Sequence, residues 1–185
     1  MKQRPNQFLL LFLDAFLVVM INIYGGRRMK LLFKQRLFSW FDSYDIYDEY
    51  GNVIYTVKGE LSWGHKLCIY DNQGLHIGTI KEEVLTLLPK FKMYINDQYI
   101  GQIKKEFTLF KPSFILDCNN WQITGDFLEW NYEIIDDNGV IIGDINKEIF
   151  NLTDTYSLNI NSPQNALYVL MIVLAIDAQK CSNNG

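Results

Sequence analysis

The sequence predicts a mainly β protein, a closed antiparallel barrel of about twelve strands enclosing its own apolar C-terminal α-helix. Three observations predict it: a turn-and-strand unit that recurs along the chain, turn residues that punctuate alternating apolar segments, and a closing apolar run with no polar face.

The repeat comes first. DEYGNVIYTVKGEL from Asp48, DNQGLHIGTIKEEV from Asp71, INDQYIGQIKKEF ending at Phe107 and DDNGVIIGDINKEI from Asp136 align without gaps. Their turns supply an Asp to bond its own backbone and a Gly or Asn to take positive φ, the chemistry of a hairpin. Asn96-Asp97-Gln98 and Asp117-Cys118-Asn119-Asn120 read as two further turns, which makes five hairpins. A second element, an eleven-residue corner, recurs at 34–44, 81–91, 104–114 and 146–156, with shortened copies in KGELSWGHKL and TGDFLEWNY. Six strand-corner-strand units joined by five turns give twelve strands, the first beginning near Leu31.

Alternation assigns the faces. Val53, Tyr55, Val57 and Leu61 in one copy, and Ile141, Gly143, Ile145 and Ile149 in another, share the core face; Thr56, Lys58 and Glu60, or Thr79, Lys81 and Glu83, face water. Gly78, Gly101 and Gly143 recur in the same inward register. An inward glycine weakens a strand unless something must approach its backbone, so these three are expected to make room for an internal element. That element is the helix predicted over 163–180, with Ser162 as N-cap and Pro163 at the first helical position. Leu167 to Ile176 is apolar on every side yet too short to span a bilayer, which leaves the barrel interior as its place. Twelve strands leave a bore fit for a helix about 10–12 Å across.

Residues 1–28 fall outside the repeat, and the domain proper is predicted over 29–181. Segment 8–24 is apolar apart from Asp14 and Asn22, with Lys2 and Arg4 before it and Arg27 and Arg28 after. As a membrane anchor it is slightly short, and its Asp costs about 2.5–3.5 kcal/mol on insertion. As a signal peptide it lacks a good cleavage site. The favoured reading is a misassigned start with translation beginning at Met29, because Gly-Gly-Arg-Arg before Met-Lys is encodable as a purine-rich ribosome-binding site. A T-rich untranslated stretch would then be read as the apolar run.

Composition narrows the function. The 185 residues are 49% hydrophobic and 21% charged with net charge −4, as suits one globular unit and not a nucleic-acid binder. Without residues 1–28, four of the seventeen basic residues and one of the twenty-one acidic ones go, leaving −7. Cys68, Cys118 and Cys181 have neither zinc nor CxxC spacing, so they read as small apolar fillers in a reducing compartment.

KQRLFSW, LTLLPKF, IKKEFTLFKP, WQITGDF, DTYSLNI and LMIVLAIDA, in that order over residues 29 to about 181, resemble the LURP-one-related family of the tubby C-terminal-like superfamily, especially its small bacterial members. The resemblance implies a twelve-stranded barrel around a hydrophobic C-terminal helix. It also implies a lipid connection, since tubby domains bind phosphoinositide headgroups through basic residues and the related scramblases are membrane proteins.

No catalytic, cofactor-binding or metal-site residues are assigned. His65 and His76 lie in different repeats and read as surface residues, and no nucleophile elbow, phosphate loop, HExxH or EF-hand occurs. Lys58/Glu60, Lys81/Glu83 and Lys104/Glu106 read as ion-paired strand surface, with Lys104, Lys105 and Lys111 as a candidate headgroup site. Trp40, Trp63 and Trp130 read as buried corner packing, and Asp177 as a mouth residue bonded to strand or loop donors. The expected function is a non-enzymatic binding or interaction module, bacterial and cytoplasmic, tethered through 8–24 if that segment is translated. Its partner is then an anionic phospholipid or a protein. The alternative is an enzyme or small-ligand carrier with a site at a barrel mouth.

Overall fold

The computed structural model describes residues 28–34, 43–107, 113–127, 129–148 and 155–182. The readings of residues 1–27, Trp40, Lys111 and Ile149 lie outside them.

Twelve strands run in sequence order around a closed antiparallel barrel. They are β1 (Met29–Lys34), β2 (Ser43–Asp48), β3 (Val53–Glu60), β4 (Lys66–Asp71), β5 (His76–Glu82), β6 (Lys90–Ile95), β7 (Gln98–Glu106), β8 (Ser113–Leu116), β9 (Trp121–Asp126), β10 (Asn131–Ile135), β11 (Ile141–Glu148) and β12 (Thr155–Ile160). Pairing of β1 with both β2 and β12 closes the wall and removes its free edges. All five tight turns therefore lie at one end, and the corners lie at the other.

The repeat is also conformational. In the turns after β2, β4 and β10, one carboxylate oxygen of Asp48, Asp71 or Asp136 accepts the backbone N–H groups two and four residues on, at 2.8–2.9 Å. Gly51, Gly74 and Gly139 follow with φ of 86°, 81° and 77° and donate to the same Asp carbonyls. Four of the hairpins carry a register shift beside the turn, at Ile46/Tyr47, Ile69/Tyr70, Met93/Tyr94 and Ile134/Ile135.

A 3₁₀ turn (Pro163–Asn165) leads into α1 (Ala166–Ser182), which enters from the turn end and runs toward the corner end. Every residue from Val169 to Ile176 has no exposed surface. With no polar face and no exposed face, α1 supplies the centre of the core. Inward residues such as Leu31, Ile46, Val57, Ile69, Ile103 and Leu158 wrap it, each contributing about 1.5–3 kcal/mol on full burial.

The glycine expectation holds fully at Gly78, where a Cβ would stand 2.5 Å from the Met171 methyl. Gly143 also faces α1, but its Cβ would lie at ordinary contact, 3.6 Å, from Val169 and be crowded instead by the Asn159 carbonyl at 2.9 Å. Gly101 is a correction. Alone of the three it has a positive φ, 147°, and its Cβ would collide with Asp117 and Cys118 of the next turn, so the room it makes is for that turn and not for α1. Ser162 and Pro163 take the expected N-cap and first helical positions, but of a 3₁₀ turn that precedes the α-helix, and the Ser162 hydroxyl lies 3.4 Å from Gln164 and caps no backbone N–H. Leu61 is a further correction. It follows the last residue of β3 and is exposed, since alternation ends where the strand does.

Candidate functional site

With the interior occupied by α1, side chains available for chemistry sit on the outer wall and the rims. On the wall of β4 and β5, His76 Nε2 and Thr79 Oγ1 are hydrogen-bonded at 2.9 Å, and Cys68 Sγ lies 3.8 Å from the same hydroxyl. His76 Nδ1 is 3.6 Å from the exposed Asp97 carboxylate. The order carboxylate, imidazole, hydroxyl resembles a nucleophile relay, but the outer pair is beyond hydrogen-bond range and Thr79 is almost fully covered. Burial pushes the Cys68 thiol up, which disfavours the thiolate. Thr79 corrects the face assignment, since it points outward yet is buried; Cys68 is buried, as its reading as a filler expects. His76 packs its ring on Tyr70, over which Lys58 also sits. His65 is half-buried beside Glu82, and desolvation holds its pKa down against that carboxylate's opposing pull. Cys118 is exposed in its turn, against its reading as a core filler.

The same wall carries a feature that sequence spacing alone does not show. In the cross-strand register, Lys66 of β4 faces Lys81 of β5, Lys81 faces Lys92 of β6, and Lys90 of β6 faces Lys104 of β7. Like charges directly opposite one another destabilise a sheet, so this ladder is an expense to the fold. Three acids answer it from the flanks: Glu60 on Lys66 at 2.6 Å, Glu83 on Lys92 at 3.5 Å and Asp117 on Lys104 at 3.2 Å. The Lys66 bond holds Glu60 below its usual pKa. Burial opposes ionisation of Asp117, but the Gln102 N–H and Lys104 outweigh it and hold that carboxyl low. Among the described residues no carboxylate pairs with Lys81 or Lys90. The predicted ion pairing of the Lys-x-Glu units is thus partial. Glu106 accepts a hydrogen bond from Ser113, and Lys105 lies off the ladder's register, opposite the buried Phe114. Other acids lie away from the ladder: each of the five turns carries at least one Asp, of which only Asp117 reaches a ladder lysine, and Glu133 stands opposite Asp144 on the wall of β10 and β11.

At the corner end an aromatic collar surrounds the end of α1. Trp130 lies 4.3 Å from Tyr156 between ring centroids, Phe33 touches both, and Phe127 bridges Phe114 and Tyr132. Lys180 sits 4.3 Å over the Trp130 ring. Trp130 is buried as expected, whereas Trp63 is exposed. Asp177 reaches the mouth as predicted, but no hydrogen bond among the described residues reaches its carboxylate. Desolvation raises its pKa to about 6 against the counter-pull of Lys180, and the nearby buried Tyr132 hydroxyl has no hydrogen-bond partner among the described residues. A raised carboxyl pKa means that the folded chain holds the proton after the unfolded chain has lost it. Stability therefore falls as pH rises from about 4 to about 6, and the penalty is complete above that window. Some residual solvent contact discounts it, so Asp177→Asn should add about 1–2 kcal/mol at neutral pH and flatten this slope. Urea titrations of both proteins at pH 4 and 7 check it; equal gains at the two pH values would contradict it.

No helix among the described residues is long and apolar enough to cross a membrane, and none of their His, Cys, Asp and Glu side chains cluster to hold a metal ion.

One structural comparison bears out the fold, and two sequence comparisons identify relatives. A Bacillus subtilis (strain 168) protein called Uncharacterized protein YxjI is 27% identical over 150 residues, 80% of this chain and 92% of its own. An Arabidopsis thaliana protein solved by X-ray crystallography superimposes with a TM-score of 0.57 at 16% identity, over 80% of this chain and 90% of that one. The model of the LURP-one-related family matches residues 29–177, and on that match the chain belongs to the LURP-one-related family.

Proposed function

We propose that this protein is a non-enzymatic binding module whose ligand is an anionic phospholipid surface, engaged by the outer wall of β4 to β7. The observation that carries the reading is the lysine ladder, Lys66, Lys81, Lys92, Lys90 and Lys104, maintained in an acidic chain against its own repulsion. Glu60, Glu83 and Asp117 answer three of the five lysines, and no carboxylate among the described residues pairs with Lys81 or Lys90. Other acids lie at the turn end and on the β10–β11 wall, which leaves this side with a basic excess that an anionic surface would orient. The filled interior supports a ligand outside the barrel over a carrier or enzyme site at its mouth. Bound near such a surface, each lysine contributes about 1 kcal/mol.

Co-sedimentation with phosphatidylcholine vesicles, with and without phosphatidylglycerol, tests this. Binding is expected only to the anionic vesicles, and the double variant Lys81→Glu/Lys92→Glu should abolish it. Equal binding of the variant, or equal binding to neutral vesicles, would refute the reading.

A further inference from the structure

Three successive corner-end segments beside the ladder put large apolar side chains into solvent. Between β3 and β4, Trp63 is 84% exposed and Leu61 equally so; between β5 and β6, Leu85 and Leu87 are 98% and 99% exposed; after β7, Phe107 projects likewise. A monomeric surface rarely gathers such residues without use.

The segments form one stiff rim. Glu82 N–H donates to the His65 carbonyl at 2.7 Å, and the Glu82 carboxylate accepts the His65 N–H at 3.0 Å. A Cβ on Gly64 would stand 2.7 Å from Val84, so the first two corners touch. Lys105 N–H donates to the Pro89 carbonyl at 3.1 Å, tying the second corner to β7. The Thr86 hydroxyl donates within its own corner, toward the carbonyls of Glu83 at 3.1 Å and Leu88 at 2.8 Å. Leu85 has φ of 62°, a left-handed backbone that a branched apolar residue rarely takes, and it gains no packing in return.

We infer that this rim inserts into the headgroup and acyl boundary of an anionic bilayer. Trp63, Leu85 and Leu87 are its submerged tips, and the lysine ladder lies against phosphates just outside. The inference rests on the reading above and adds the depth and orientation of docking. Charge complementarity selects the occupant. Behind the indole and leucine tips, Lys66, Lys81, Lys90, Lys92, Lys104 and Lys105 outnumber Glu60, Glu82, Glu83 and Glu106, so the rim keeps a basic excess that matches the bilayer's layering of apolar chains, polar interface and anionic headgroups. The opposite end of the barrel is rimmed by aspartates and would be repelled.

The test uses the full chain with phosphatidylcholine/phosphatidylglycerol vesicles carrying brominated acyl chains. Tryptophan quenching on binding is expected, and most of it should disappear in Trp63→Ser. Leu85→Gly/Leu87→Ser relieves the strained φ without touching the core, so its fold should survive. It should bind about tenfold more weakly and be fully released by about 0.5 M salt, which leaves part of the wild type attached. Binding without quenching, with the tip variants matching wild type, overturns insertion and leaves lysine-driven adsorption standing. Absence of binding to any vesicle overturns both readings. A concentration-dependent dimer that the tip variants lose would assign the rim to a second copy and overturn insertion as well.

Discussion

Leu170→Asp is expected to prevent folding, whereas Leu170→Ala should leave a folded protein weakened by about 2–5 kcal/mol. Leu170 has no exposed surface, and its neighbours on α1 from Val169 to Ile176 are equally enclosed, so a carboxylate there meets only hydrocarbon. Holding it neutral or ionised in that setting costs several kcal/mol, a large share of the roughly 5–15 kcal/mol that separates a folded domain from its unfolded chain. Circular dichroism and urea titration distinguish the outcomes. A Leu170→Asp protein that melts like wild type would mean that the helix face at 170 meets water, and the barrel would then have to be filled by something else.

The second large effect is expected at Trp130, where truncation to alanine should cost about 3–5 kcal/mol and Trp130→Phe markedly less. The indole is buried against Tyr156 and Phe33 and shields the end of α1, and Lys180 lies over its face. Its backbone sits at φ 53°, so the corner accepts local strain to turn the ring inward. Loss of the ring opens the collar beside Asp177 to water, so the Asp177 pKa should move from about 6 toward the ordinary carboxylate value. Thermal unfolding measures the first effect, and the pH dependence of stability measures the second. An alanine variant as stable as wild type would show that the collar is decorative.

The architecture was legible because each repeat states it in full. Asp48, Asp71 and Asp136 open turns of identical chemistry, and the strands between them alternate cleanly. The one segment without alternation, Leu167 to Ile176, had only the interior left to fill. What escaped depended on register or on strand ends. Gly101 shares the spacing of Gly78 and Gly143, but its positive φ, which spacing does not encode, sets it against Asp117 and Cys118 and not against α1. Leu61 and Trp63 look like core residues by composition and lie in a corner just past β3, where no sheet face exists to bury them. Thr79 faces outward and is covered by its neighbours' side chains, Cys68 among them, which a period-two pattern does not encode. The ladder was hidden for the same reason. Lys81 and Lys104 were visible in their Lys-x-Glu units, but the cross-strand partners Lys66, Lys92 and Lys90 appear only once the strands are aligned.

Nuclear Overhauser contacts across the helix–wall boundary test enclosure of α1 most directly. The Met171 methyl should show a strong contact to the Gly78 α-protons, and the Val169 methyls to those of Gly143, in protein free of detergent and lipid. Helix methyls that contact only their own helix and relax rapidly with a water-borne paramagnetic agent would place α1 outside the wall and contradict the account.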